Sequence, residues 1–236
     1  MNGINIFLSE FVGMTVLITL GCGVVAAVNL DKTYAKGSGW LTIAIGWGVA
    51  AFFGSLASLA MGSGILNPAV VIALIVGGEI PLADLPWYIA GEFAGAMIGA
   101  TVVYIHYMPH FKATTDPDMI RGVFCNAPAI RNFKTAFVSE FIASFFLIIL
   151  ALAVSKQVTD ISYRPVFIGL VVLSIGLSLG STTGYAINPA RDLGPRIAHY
   201  LLPIHNKSHS DWAYSWVPVL APILGCMAGY LIFSLI

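Results

Sequence analysis

Charged side chains are scarce in this sequence. Only 9% of its 236 residues are Asp, Glu, Lys or Arg, whereas 58% are hydrophobic, a balance that excludes an ordinary water-soluble domain and indicates a lipid environment. The formal net charge is zero, so nothing indicates a nucleic-acid partner or a polybasic lipid anchor. The sequence therefore predicts an integral membrane protein.

Cysteine is equally rare. Cys22, Cys125 and Cys226 are far apart, which fits neither a zinc site nor a disulfide framework, and the histidines are scattered. No nucleophile has a His and an acid partner, and no phosphate-binding loop is present. We therefore expect no metal, no cofactor and no enzymatic activity.

The first apolar run lacks a basic start and is too long for a signal-peptide core, so we expect it to be retained in the protein.

Six apolar runs are long enough to cross a bilayer, which takes about 20 residues of helix. Two further stretches, 68–77 and 189–200, are too short to span and predict half-length helices. The polar segment 106–134 joins the two halves and predicts a surface loop. The predicted spans are 4–28, 40–61, 85–105, 135–154, 165–181 and 212–236.

The two halves of the chain repeat each other. Leu8-Ser9-Glu10-Phe11 opens the first half and Val138-Ser139-Glu140-Phe141 the second, and each half later carries an Asn-Pro-Ala triplet, at 67–69 and 188–190. Three predicted spans separate the triplets, an odd number, so the half-helices must enter from opposite faces. This predicts an inverted repeat within one domain of residues 1–236. Its parts are 1–110, a connecting loop at 111–134, and 135–236.

Each triplet has the chemistry of a helix start, since Asn caps a helix and Pro fits its first position. One triplet alone is merely a cap, but one in each half, in a segment too short to span, favours a channel. Where two such helices meet end to end, their positive dipole ends and the Asn N–H donors repel cations and interrupt a chain of hydrogen-bonded water. The predicted central constriction comprises Asn67, Pro68, Ala69, Asn188, Pro189 and Ala190.

The loops 62–70 (Gly-Ser-Gly-Ile-Leu-Asn-Pro-Ala-Val) and 184–192 (Gly-Tyr-Ala-Ile-Asn-Pro-Ala-Arg-Asp) resemble the paired signature loops of the aquaporin superfamily. The pair Arg191-Asp192 after the second triplet resembles the sequence of the aquaglyceroporin branch, which comprises the glycerol uptake facilitators. The resemblance implies an all-α integral membrane fold with six transmembrane helices and two re-entrant half-helices. It also implies a plasma-membrane homotetramer with one pore per subunit and both termini in the cytoplasm.

By this resemblance, the selectivity filter comprises Trp47, Gly176, Tyr185 and Arg191. Arg191 offers a fork of donors for two neighbouring hydroxyls, and the aromatic faces suit the carbon backbone of a polyol. Water-selective members usually have His where Gly176 stands, so we expect a wider filter that conducts glycerol and other small uncharged solutes with water. The glycine-containing stretches before the triplets are expected to form a ladder of carbonyl acceptors from Ser63, Gly64, Ile65, Gly184, Tyr185 and Ala186.

Three glutamates lie inside predicted spans. The resemblance implies that Glu10 and Glu140 accept hydrogen bonds from the re-entrant loops. Glu92 stands where relatives often have Gln, and we hypothesise that it makes permeability depend on pH. A secondary transporter also uses inverted repeats, but these three are the only candidate coupling carboxylates.

Other solutes stay open at this point. Neutral lactic acid and other small acids, or water alone, are the main alternatives to glycerol, with urea and dihydroxyacetone as additions.

The orientation implied by the resemblance conflicts with the positive-inside tendency. It leaves only Lys156 and Arg164 in the inside loops, against Lys32, Lys36, Lys112, Arg121, Arg131, Lys134 and Lys207 outside.

Overall fold

The computed structural model describes residues 1–235, and this part of the chain contains helices and loops but no strand. Ten α-helices occur in it, with short 3-10 turns at Leu82–Asp84, Ile161–Tyr163 and Gly180–Thr182. The helices are α1 Gly3–Asn29, α2 Trp40–Leu59, α3 Pro68–Val76, α4 Leu85–His106, α5 Met108–Ala113, α6 Pro117–Gly122, α7 Phe133–Gln157, α8 Arg164–Ser178, α9 Pro189–Leu201 and α10 Val217–Ser234.

Six of these helices are long and apolar enough to cross a membrane: α1, α2, α4, α7, α8 and α10, with α4 and α8 extended by the preceding turns. This confirms the six predicted spans, and most boundaries agree within a few residues. The last predicted run, 212–236, starts too early, because Trp212–Trp216 form turns before Pro218 occupies the first turn of α10. Its final residue lies outside the described residues.

The two half-length helices start at the triplets, as predicted. Asn67 caps α3 and Asn188 caps α9, with nearly identical extended backbone angles (φ −157° and −158°) and Pro in the first turn of each. Because α3 has only nine residues and α9 thirteen, neither crosses a bilayer at 1.5 Å per residue. The chain must therefore return to the face from which it entered.

Glycines bring the spans together in the same way in both halves. A Cβ atom on Gly99 of α4 would lie 2.8 Å from the Thr15 carbonyl oxygen of α1, and one on Gly229 of α10 would lie 2.7 Å from that of Phe145 on α7. Small residues allow such close backbone approach in membranes, where packing drives helix association. The α1–α4 pair of the first half therefore corresponds to the α7–α10 pair of the second.

The segment 106–134 is not simply a surface loop, so that prediction is wrong in part. It contains α5 and α6, and after α6 it turns inward, burying Phe124, Cys125 and Asn126. The Phe124 ring stacks on Phe111, with ring centroids 5.5 Å apart. Burial of these apolar rings explains why the segment folds onto the end of the helix bundle rather than extending into solvent.

Candidate functional site: a lumen between the two half-helices

A cavity of about 260 Å³ runs through the centre of the bundle. At one end it is lined by Trp47, Tyr185 and Arg191, and in the middle by Asn67 and Asn188. Three of the four predicted filter residues thus share one lumen, whereas Gly176 is not among its lining residues. Along the predicted ladder, the lining includes Ser63, Gly64, Ile65, Tyr185 and Ala186; the other end is largely apolar, with Leu59, Leu74, Leu152, Ile161 and Ile168.

Arg191 packs against an aromatic ring at the predicted filter. Its guanidinium carbon lies 3.8 Å from the centre of the Trp47 ring, well within the range of a cation–π interaction. Trp47 Nε1 and the Tyr185 hydroxyl are buried and have no hydrogen-bonding partner among residues 1–235. Buried polar atoms are normally satisfied, so these two unpaired donors are exceptions among the described residues.

The space beside Gly176 is filled by Tyr185. A Cβ atom at position 176 would lie 2.7 Å from the Tyr185 hydroxyl oxygen. Trp40 completes this contact: its Nε1 donates to the Gly176 carbonyl oxygen at 2.9 Å, and its ring meets that of Tyr185 edge-on. Sequence analysis missed Trp40, although it lies two helical turns before Trp47 and hence on the same side of α2.

The two central asparagines are linked by crossed hydrogen bonds. Asn67 Nδ2 donates to the Ile187 carbonyl oxygen at 2.9 Å, and Asn188 Nδ2 donates to that of Leu66 at 2.6 Å. Both Oδ1 atoms accept from the first turn of their own helices. Each amide group has two N–H donors, so only one per Asn faces the lumen, not both as the sequence suggested.

Leu66 and Ile187 make these crossed bonds possible by adopting left-handed backbone angles, with φ of 57° and 45°. Such angles cost roughly 1–3 kcal/mol each for residues other than glycine. They aim each carbonyl at the opposite Asn and each N–H outward, towards a buried glutamate. Neither residue type signals this conformation, so sequence analysis could not find it.

Glu10 receives the outward N–H groups of the first loop. Its carboxylate accepts from Leu66 N at 2.7 Å and from Ile65 N at 3.3 Å, and Ser58 Oγ donates to it at 3.4 Å. The carboxylate is fully buried. Backbone donors thus supply the partners that a buried charge requires.

Glu140 occupies the matching place in the second half. It accepts from Ala186 N and Ile187 N, both at 2.9 Å, and from the Thr183 hydroxyl at 2.6 Å. The pairing of a span carboxylate with two successive loop N–H groups is therefore the same in both halves.

Glu92 of α4 differs from Glu10 and Glu140 in its hydrogen bonding. It is fully buried, and neither carboxyl oxygen has a hydrogen-bonding partner in the described part of the chain. The Glu10 carboxyl lies beside it, with the backbone N–H of Asn67 nearby. It does not line the lumen.

Directly after Arg191, α9 carries a buried ion pair that was not predicted from the sequence. Arg196 donates to Asp192 through Nε and Nη2, both at 2.9 Å, and both side chains are fully buried. The spacing of four residues on one helix was a signal for this pair. Asp192 also accepts from the backbone N–H of Asn126, whose side chain accepts a hydrogen bond from Arg191.

A second ion pair joins the connecting segment to the loop before α10. Arg131 donates to both carboxylate oxygens of Asp211, at 2.6 and 2.7 Å. These hydrogen bonds hold the pKa of the Asp211 carboxyl below its ordinary value, since they favour its charged form.

Comparison with known proteins identifies the family. The model of the family described as major intrinsic protein matches residues 2–233. Glycerol uptake facilitator protein 3 of Lactiplantibacillus plantarum is 48% identical, covering 97% of this chain and 95% of that protein. A D/L-lactic acid transporter of the same organism is 41% identical, covering 92% of each chain.

Among solved structures, the aquaglyceroporin of Plasmodium falciparum superposes with a TM-score of 0.87 at 30% identity, covering 98% of this chain and 96% of that one. This confirms the predicted fold and the resemblance seen in the two loops. The chain belongs to the major intrinsic protein family.

Proposed function

We propose that this protein is a passive channel, not an enzyme, that conducts glycerol and other small uncharged solutes, with water, and excludes protons and ions. The observation that carries this proposal is the outer end of the lumen. There the Arg191 guanidinium carbon lies 3.8 Å from the centre of the Trp47 ring, and Tyr185 lines the same end of the lumen. A charged fork of donors and an aromatic face together match a molecule with adjacent hydroxyls and a CH backbone.

Selection begins at this filter. Arg191 donates to two neighbouring hydroxyl groups, while Trp47 and Tyr185 contact the carbon side of the solute. Tyr185 packs against Gly176 and lines this end of the lumen. The permanent charge of Arg191 opposes entry of cations.

The centre of the lumen excludes protons. One N–H of Asn67 and one of Asn188 remain for the passing molecule, because the other N–H of each amide is bonded across the pore. The N-terminal ends of α3 and α9 add positive potential at the same point. A water held by these donors is oriented away from proton relay, and a metal ion is repelled.

The solute follows a ladder of carbonyl oxygens on the two loops, along residues 63–65 of the first and along Tyr185 and Ala186 of the second. Gly184, expected from the sequence to belong to it, does not line the lumen. Glu10 and Glu140 hold the ladder in place by accepting the outward N–H groups of the loops.

We also propose that the two repeats comprise residues 1–110 and 135–236, with the connecting segment 111–134 between them.

For the assembly, we propose a homotetramer in the plasma membrane with both termini in the cytoplasm. The conflict with the positive-inside tendency is reduced because several outer cations are paired within the protein. Lys36 pairs with Asp31 at 3.0 Å, and Lys207 donates to the carbonyl oxygens at the end of α9. Such cations are part of the folded outer face rather than free loop charges.

Neutral lactic acid is the second candidate solute. The Arg191 fork can donate to the oxygens of an undissociated carboxyl group, and one similar protein is named as a lactic acid transporter. The hydroxyl and carboxyl groups of lactic acid are neighbours on its carbon chain, as two hydroxyl groups are in glycerol.

Stopped-flow light scattering on proteoliposomes tests both solutes in one preparation. Glycerol, water and lactic acid at low pH are compared with empty vesicles. Fast glycerol entry supports the proposal, and fast lactic acid entry adds the second solute. Fast water with no entry of either solute contradicts the proposal and indicates a filter for water alone.

A further inference from the structure

Asn126 belongs to the connecting segment and contacts Arg191 of the predicted filter. It is only 8% exposed, and its side chain bonds in two directions. Its Oδ1 accepts from Arg191 Nη1, while its Nδ2 donates to the Gly184 carbonyl oxygen at 2.6 Å and to that of Thr183 at 3.4 Å. One carboxamide thus connects the filter arginine with the backbone that precedes the second triplet.

The backbone of Asn126 is fixed as firmly as its side chain. Its N–H donates to Asp192 Oδ1 at 2.9 Å, and its carbonyl oxygen accepts from Arg196 Nη2 at 2.8 Å. Because Asp192 and Arg196 form a fully buried ion pair, the residue is held by the helix bundle and not by the loop alone. A side chain supported in this way is preorganised.

We propose that Asn126 is a positioning residue that sets the solute specificity of the channel through Arg191. This inference rests on the proposed glycerol function. A guanidinium has five N–H donors, and the bond to Asn126 uses one of them and fixes the plane of the others over Trp47. The fork then presents two donors to the lumen at the same time.

Glycerol depends on this orientation more than water does. A polyol uses two donors of the fork simultaneously, so a misaligned guanidinium loses the paired interaction. A water molecule needs only one donor and is served by several orientations. Loss of the Asn126 carboxamide therefore lowers glycerol permeability more than water permeability.

Asn126 also determines what the Gly184 carbonyl offers to the lumen. Gly184 has a φ of 80°, and its carbonyl oxygen is not free, because the Asn126 amide occupies one of its two acceptor positions. Gly184 is likewise not among the residues that line the cavity. The outermost step of the expected carbonyl ladder is thus directed at Asn126 rather than at the solute.

The test compares Asn126→Ala and Asn126→Asp with the native protein in proteoliposomes. For Asn126→Ala, we expect glycerol permeability per channel to fall about tenfold, the effect of losing one hydrogen bond to a charged group, with water permeability near the native value. For Asn126→Asp, the carboxylate still accepts from Arg191 but offsets its charge, so we expect an increased sodium leak.

Asn206→Asp is the matched control. Asn206 Nδ2 donates to the Thr114 carbonyl oxygen at 2.9 Å, an outer-loop bond of the same kind that does not touch the filter. Its φ of 59° suits Asp as well as Asn. We expect native glycerol-to-water ratio and native leak from this variant.

Two outcomes overturn the inference. One is a native glycerol-to-water ratio in Asn126→Ala together with a native leak in Asn126→Asp. The other is an equal loss of water and glycerol permeability in Asn126→Ala, which indicates a merely structural role. If the native protein itself passes no glycerol, the proposed function fails, but the sodium leak of Asn126→Asp still reports whether Asn126 acts on Arg191.

Discussion

Gly176 and Tyr185 form a single packing unit, because the Tyr185 hydroxyl and ring occupy the place where a side chain at 176 would begin. The Cβ of any larger residue would stand 2.7 Å from the hydroxyl oxygen and 2.8 Å from Cζ, closer than real Cβ atoms approach. The size of residue 176 therefore limits the position of Tyr185, a residue of the predicted filter.

Replacing Gly176 by Ala or His should displace the Tyr185 ring into the lumen. Overpacking of this kind typically costs about 1–3 kcal/mol. We expect glycerol permeability to fall by about tenfold or more, with water permeability largely kept, in stopped-flow assays. Gly23→Ala is the matched control, because a Cβ on Gly23 meets nothing within 4 Å. An equal loss of water permeability and glycerol permeability would contradict the assignment of Gly176 to the filter.

Arg191→Val should weaken the exclusion of cations. It removes the one fixed positive charge of the filter, and a change of 1.4 kcal/mol in the barrier changes the flux tenfold. We expect a sodium or proton leak increased by about tenfold or more, measured with a potential- or pH-sensitive dye in vesicles. An unchanged leak would assign exclusion to the central asparagines alone.

Glu92 is expected to make permeability depend on pH. Its carboxyl lies beside that of Glu10, with Tyr88 on the same helix, and has no hydrogen-bonding partner within residues 1–235. A negative charge on it would repel Glu10 and disturb the loop that Glu10 holds. We expect glycerol permeability to decrease towards alkaline pH.

The control for this prediction is Glu92→Gln, which keeps the shape of the side chain but cannot ionise. Its permeability should be the same at every pH tested. A flat curve in the native protein, or an unchanged pH dependence in the variant, would refute the hypothesis.

The stability of the protein should be sensitive to loss of a single acceptor at Glu10 or Glu140, the two glutamates that bind the re-entrant loops. Gln in place of Glu140 keeps one oxygen but turns an N–H2 group towards Ala186 N or Ile187 N, leaving a buried donor unpaired. We expect a loss of about 1–3 kcal/mol in stability, seen as a lower Tm in detergent, and a similar loss for Glu10→Gln. If only one variant is affected, the two halves do not use equivalent anchors.

The contact between the connecting segment and the loop before α10 should lose stability in acid. Arg131 lowers the pKa of Asp211, so the pair stabilises the fold above the ordinary Asp pKa of about 3.9 and this stabilisation is lost as the pH falls through the lower folded value. Because the Arg131 side chain is 53% exposed, the contribution is about 1 kcal/mol or less. Tm measured from pH 6 to pH 3 should fall less steeply in Arg131→Gln than in the native protein.

Much of the fold follows from local properties of the sequence. Hydropathy located the six spans, and the capping chemistry of Asn67 and Asn188 located the half-helices, because both depend on neighbouring residues. Asn126 could not be assigned, since its partner Arg191 lies 65 positions away and a loop carries no periodic signal. The contact of Tyr185 with Gly176 likewise depends on the left-handed φ of 37° at Tyr185, which its residue type does not favour.

The crossed bonds between the asparagines and the opposite loops bear on how the chain is made. When the first half leaves the ribosome and enters the membrane, the Leu66 carbonyl oxygen and the Asn67 Nδ2 group lack their partners, because these arrive only with Asn188 and Ile187. The first re-entrant loop is therefore incomplete until the second has been synthesised. Biogenesis must end with a late docking step in which the two halves order each other.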